Sequence, residues 1–214
     1  GDLQHPVLGS SGMVAAQNRL SAESGARILE AGGNAVDAAI ATGFSLAVTL
    51  PRAGNLGGGG FMLVHLAETD EQIFIDYRET APAAATRDMF LNADGTVNKA
   101  KAYFSRQAAG VPGTVAGLVH AHTQYGKLPL ATVIQPAIDL AEQGFDTPLA
   151  LHMSLTSRAE RLVMDPEAKR IYLQGTAKAP APGAVFKQPD LARTLQRIRD
   201  KGRDGFVMGE GAGI

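Results

Sequence analysis

The stretch Gly54-Asn55-Leu56-Gly57-Gly58-Gly59-Gly60-Phe61-Met62 sets four consecutive glycines directly ahead of an apolar run. A Walker-type phosphate loop needs Lys then Ser or Thr after its last glycine, and Phe61 and Met62 stand there instead. A dinucleotide fingerprint needs a third glycine where Met62 lies, and it follows a strand where this run precedes one. Two readings stay open: a loop in which backbones cross closely, or one whose bare N–H groups approach a substrate. Close packing would make Gly58→Val disruptive.

Downstream, Phe61 to Leu66 and Gln72 to Tyr77 read as strands joined by the polar Glu68-Thr69-Asp70-Glu71, hence a hairpin. Residues 81–111 are mixed, with a turn expected at Asn92-Ala93-Asp94-Gly95. Beyond them the pattern turns helical. Pro112 fits a first helical turn, and Val115, Leu118, Val119 and His122 recur at helical spacing up to Gly126. Leu130 to Gln143 predicts a helix, as does Leu149 to about Val163. Ala177 to Pro189 predicts a surface loop, and Leu191, Leu195 and Ile198 mark a last helix stopped near Gly202.

Upstream, Gly12-Met13-Val14-Ala15-Ala16 suits a buried strand. Ser21 suits the N-cap of a helix from Ala22 to Ala31, with Ala22, Ala26 and Leu29 on its inner face and Gly32-Gly33 as its stop. Asn34 caps the next helix, and Asp37 can reach back to the cap. That helix, Ala35 to about Thr49, is apolar nearly all round and is expected to be buried.

Across its 214 residues the chain is 45% hydrophobic and 19% charged, which places it among globular proteins able to bury a core. A net charge of -1, with no basic arm and no Trp, gives no reason to expect nucleic acid or a membrane surface as partner. The longest apolar run, Ala38 to Leu50, falls short of the ~20 residues of a membrane span. The absence of cysteine excludes disulfides, thiolate-bound zinc and thiol catalysis, but leaves the compartment open. The start at Gly1, without Met, is expected to reflect a removed leader or tag.

The five histidines, His5, His65, His120, His122 and His152, show no metal-ligand spacing, and no GxSxG elbow is present. No metal, cofactor or Ser/His triad is assigned. Arg78 is the charged residue that stands out. It closes a predicted strand, where a guanidinium could grip a carboxylate with two hydrogen bonds, or could simply pair with Asp76 or Glu79.

Several ordered strings resemble the γ-glutamyltransferases (glutathione hydrolases): Gly12 to Ala16, Gly32 to Ala39, Gly54 to Met62, Arg78-Glu79-Thr80-Ala81-Pro82, Gly110 to Gly117, Tyr125 to Pro129 and Pro136 to Ala141. The resemblance implies an α+β, N-terminal-nucleophile hydrolase fold, a four-layer αββα sandwich to which this chain contributes the N-terminal part of the large subunit as one incomplete domain. It implies γ-glutamyl transfer or hydrolysis on amides such as glutathione, through a γ-glutamyl ester on the new N-terminal Thr of a small subunit cut from the same precursor. It carries one substrate-binding residue onto this chain, Arg78, as the grip on the substrate α-carboxylate. No Thr here precedes Thr or Ser and then His as at the family's cleavage site, so no catalytic residue is assigned and the chain alone is expected to be inactive. A periplasmic or secreted protein is implied. Alternatives are a cephalosporin-type or other acyl amide acylase of the same superfamily, and a non-catalytic truncated homologue.

Overall fold

The computed structural model describes residues 8–209. Helix α1 (Arg19–Glu30) begins one turn earlier than the pattern suggests, because Asn18 caps it, its Oδ1 accepting from the Leu20 and Ser21 amides. Ser21 is therefore inside the helix, on a buried face of Ser21, Ser24, Gly25 and Ile28. The apolar residues Ala22, Ala26 and Leu29 are only half-buried, so the expected inner face is corrected. Small side chains won that face because they admit a close neighbour, and their hydroxyls are satisfied. Ser24 Oγ donates to the Leu20 carbonyl, and Ser21 Oγ lies 2.7 Å from Thr49 Oγ1.

Helix α2 (Ala35–Thr49) is buried nearly all round, as expected, with Ile40, Phe44 and Val48 fully enclosed. A capping box starts it: Asn34 Oδ1 accepts from the Asp37 amide, and the Asp37 carboxylate accepts from the Asn34 amide. The expected strand at residues 12–16 does not form, since among the described residues it has no partner ladder, and Met13 is exposed.

The hairpin is as expected: β1 (Phe61–Leu66) pairs antiparallel with β2 (Glu71–Asp76), Leu63 opposite Phe74. Its two faces differ. Met62, Val64, Ile73 and Ile75 are half-buried, whereas Phe61, Leu63 and Phe74 stand 53%, 80% and 59% exposed. The Phe61 and Phe74 rings stack at 5.7 Å. The turn at Asn92–Gly95 forms and is closed by the Leu91–Val97 bridge. A short helix α3 (Lys99–Phe104), capped by Asn98, follows it and was not read from the sequence. Helix α4 (Thr114–Tyr125) leaves Pro112 outside: its first bond runs from the Gly117 amide to the Gly113 carbonyl, and the amides of Gly113 and Thr114 donate to the Gly58 carbonyl at 2.8 and 3.0 Å.

Helix α5 (Leu130–Gln143) matches its expected bounds. The helix expected over 149–163 breaks into α6 (Leu149–Thr156) and α7 (Ala159–Leu162), after β3 (Phe145–Asp146). At the break Ser157 Oγ donates to the Ser154 carbonyl, a local bond that competes with helix continuation. Helix α8 (Pro166–Tyr172) was missed, although Asp165 as cap and Pro166 at the first turn announce it. The loop expected at 177–189 holds β4 (Val185–Phe186), paired with β3. Phe186 is fully buried, edge-on to Phe145 at 5.8 Å. Helix α9 (Pro189–Lys201) ends at Gly202, whose φ of 58° suits glycine, and α10 (Asp204–Val207) follows.

The backbone divides into two compact units: residues up to Asn55 with those from His122 onward, and Leu56–Ala121. In the first, α2 packs on α1 and α5, and α5 on α9. Its core is Phe44, Ile40, Ile134, Ile138, Leu195 and Ile198, each buried side chain contributing about 1.5–3 kcal/mol. The second holds the hairpin, α3 and most of α4.

Candidate substrate-binding site

The end of β2 and the glycine loop build one compact arrangement within Leu56–Ala121. The ladder runs one pair past the strands, Tyr77 N–H donating to the Gly60 carbonyl at 3.0 Å and Gly60 N–H to the Tyr77 carbonyl at 3.4 Å. Three residues on, Thr80 and Val111 bridge antiparallel, while the Gly58 carbonyl accepts from Gly113 and Thr114. The chain therefore passes three times through one narrow place, at 58–60, 77–80 and 111–114.

That crowding explains the glycines. A Cβ on Gly59 would meet the amide and carboxylate of Glu79, and one on Gly113 would fall on the Tyr77 carbonyl oxygen. None of the four loop glycines has positive φ, so it is space that is demanded and not unusual backbone angles. Close crossing of backbones is the reading the geometry favours. The clashes point to Gly59 and Gly113 as the positions at which to test it. Burial here raises the Tyr77 phenol above its ordinary pKa.

Arg78 leaves this place exposed. Its backbone amide donates to Asp76 Oδ1 at 2.9 Å, which turns the chain at the end of β2. Its guanidinium forms no ion pair or hydrogen bond among the described residues, with Asp76 and Glu79 included. A cation without a carboxylate partner, on a backbone pinned on both sides, is able to take an anionic group from solution.

The histidines do not converge. His65 lies 4.0 Å from Asp70, and His152 Nδ1 sits 2.9 Å from the Pro180 carbonyl. His120 is exposed, and His5 lies outside the described residues. His122 is a boundary residue, as expected, its Nε2 2.8 Å from the Leu128 carbonyl. Among the described residues no three His, Cys, Asp or Glu side chains gather as a metal would require. No helix among them is long and apolar enough to cross a membrane.

The sequence model of one family, Gamma-glutamyltranspeptidase, matches residues 21–213. This chain belongs to the γ-glutamyltranspeptidase family. It is 43% identical over 208 residues to the glutathione hydrolase proenzyme of Escherichia coli K12, covering 97% of this chain and 36% of that protein. The chain thus spans about a third of the length of such relatives. Among solved structures, the Helicobacter pylori γ-glutamyltranspeptidase superimposes with a TM-score of 0.94 at 40% identity, covering 97% of this chain and 59% of that one. A cephalosporin acylase from Bacillus halodurans superimposes with a TM-score of 0.81 at 29% identity, over 98% of this chain and 40% of that one. The fold is accordingly the α+β N-terminal-nucleophile hydrolase fold shared by γ-glutamyltranspeptidases and these acylases, of which this chain supplies a part.

Proposed function

We propose that the protein containing these residues transfers or hydrolyses γ-glutamyl groups of glutathione-like amides, with Arg78 holding the α-carboxylate of the γ-glutamyl donor. The observation that supports this reading is the exposed, unpaired guanidinium of Arg78 at the end of β2, in a chain that matches the family across residues 21–213. A planar guanidinium holds a carboxylate through two parallel hydrogen bonds, which orients the donor as well as binding it.

The nucleophile in this reading is the N-terminal Thr of a small subunit cut from the same precursor. Its Oγ attacks the γ-carbonyl carbon while its own α-amine, with a pKa near ~8, takes the hydroxyl proton. The C–N bond then breaks and the proton leaves with the departing amine. Water or an amino acid attacks the resulting ester, restoring the threonine. Arg78 acts by positioning, no cofactor is needed, and a periplasmic or secreted location suits a substrate met outside the cytoplasm.

The test is steady-state kinetics on the complete, processed protein, with a γ-glutamyl anilide and its decarboxylated analogue. A charge-assisted bond contributes about 1.5–3 kcal/mol, so Arg78→Gln should weaken use of the first substrate by roughly 10- to 150-fold. The second should be nearly indifferent. Equal penalties on both would refute the carboxylate grip. A second reading, an acyl amide acylase, draws on the likeness to the cephalosporin acylase; it predicts turnover of acyl amides that lack an α-carboxylate and indifference of all substrates to Arg78→Gln.

A further inference from the structure

We propose that a cleft of about 900 Å³, formed by the start of α1, the turn after α2 and the α6–α7 segment, binds an organic anion: a carboxylate carried on an apolar body. Arg52 and Arg158 both line it, and among the described residues no Asp or Glu does. Neither guanidinium has an ion pair or hydrogen bond among the described residues, although the chain's other arginines include several that are paired. Two cations lining one space without a carboxylate make its potential positive, which favours an anion there.

Neutral donors are available beside them. Asn18 spends its Oδ1 on capping α1, which leaves its Nδ2 without a partner among the described residues, and the Ser154 hydroxyl is likewise free. Leu151 and Met153 give the wall an apolar stretch. The volume is that of a small-molecule site, far more than one inorganic phosphate fills. Cation pair, free donors and apolar wall together fit an aryl or alkyl carboxylate. All the lining residues belong to the first compact unit, and the proposal is independent of the role given to Arg78.

The experiment is calorimetric titration of the full-length protein with 2-naphthoate, beside neutral 2-naphthamide and inorganic phosphate. Naphthoate should bind saturably, and more weakly as salt rises. Each of Arg52→Gln and Arg158→Gln should weaken it by about 10-fold, the loss of one charge-assisted contact. Naphthamide and phosphate should each bind at least about 10-fold more weakly than naphthoate, on the same arithmetic. Arg203→Gln, at an exposed pair with Asp204 outside the cleft, should change nothing. Both target arginines are exposed, so their variants should melt with the wild type; Arg52→Lys and Arg158→Lys, which keep the charge, should lose less than the Gln variants. No saturable naphthoate binding, equal binding by wild type and both Gln variants, or phosphate binding as tightly as naphthoate would each overturn the proposal.

Discussion

Removing the Asp37 carboxylate should destabilise the first compact unit far more than a single capping contact would. Asp37 is wholly buried, and its oxygens accept from three backbone amides: Asn34 at 3.0 Å, Lys127 at 3.0 and 3.1 Å, and Leu128 at 3.2 Å. Only the first bond is local; the others tie the start of α2 to the turn between α4 and α5. Beside it Asn34 Nδ2 donates to the Tyr125 carbonyl at 2.7 Å. In Asp37→Ala three amides lose an ionised acceptor. Each such bond is worth about 1.5–3 kcal/mol, but the amides are part-buried and water can reclaim some of the loss. A total near 3–5 kcal/mol follows, against about 1 kcal/mol for a lone cap. With a urea slope of about 2 kcal/mol per molar, the unfolding midpoint should fall by roughly 1.5–2.5 M. Asp37→Asn should fall between, because it keeps one acceptor and turns an NH2 group toward amide donors. Equilibrium urea unfolding followed by far-ultraviolet circular dichroism is the assay. A midpoint shift under about 0.5 M for Asp37→Ala, which is a cap's worth, would refute the reasoning.

Gly113→Ala should cost about 1–3 kcal/mol, since its methyl would strike the Tyr77 carbonyl, whereas Gly95→Ala meets no atom and is limited to the strain of its φ of 81°; paired unfolding curves measure the difference. The purified 214-residue chain should release no anilide from a γ-glutamyl anilide, and measurable turnover with contaminating enzyme excluded would contradict the role assigned to a small-subunit Thr. At the surface, the Arg170 guanidinium beside Asp190 holds that carboxyl below its ordinary range. The folded-state pKa thus lies below the unfolded one, so this contribution is whole above about pH 4 and vanishes as pH falls through the folded value. Asp190→Asn should therefore cost less than about 1 kcal/mol at neutral pH and nothing in strong acid, as melting temperatures at the two pH values would show.

Much of the framework was legible where local chemistry decides. Asn34 and Asp37 announce the start of α2, the apolar Ala35–Thr49 run announces its burial, and the two strand-like runs on either side of the polar Glu68-Thr69-Asp70-Glu71 announce the hairpin. The errors fall where a neighbour decides. The inner face of α1 follows Ser21, Ser24 and Gly25 because a close-packed neighbour demands small residues: a Cβ on Gly25 would meet Thr42. Phe186 lies in a stretch rich in Pro, Ala and Gly, yet it is buried because Phe145, some forty residues earlier, pairs with it. At the candidate site the position of Arg78 was readable, but the choice between a free guanidinium and one paired to Asp76 or Glu79 needed coordinates. The ties from Asp37 to the amides of Lys127 and Leu128 left no local trace at all.

The placing of Leu56–Ala121 between the two stretches that make up the first unit has a consequence on the ribosome. Helix α2 packs on α5, yet roughly 80 residues separate Thr49 from Leu130, which at about 5–20 residues per second is about 4–16 seconds of synthesis. For that interval an almost wholly apolar helix, with Phe44 and Val48 on it, waits with only α1 for cover. Lengthening an exposed turn inside that stretch, such as Glu68–Asp70 between β1 and β2, should matter little to the finished fold, since doubling a loop costs only about 0.6 kcal/mol. The same changes would lengthen the wait in proportion, so nascent-chain chaperones should discriminate among such variants where melting temperature does not.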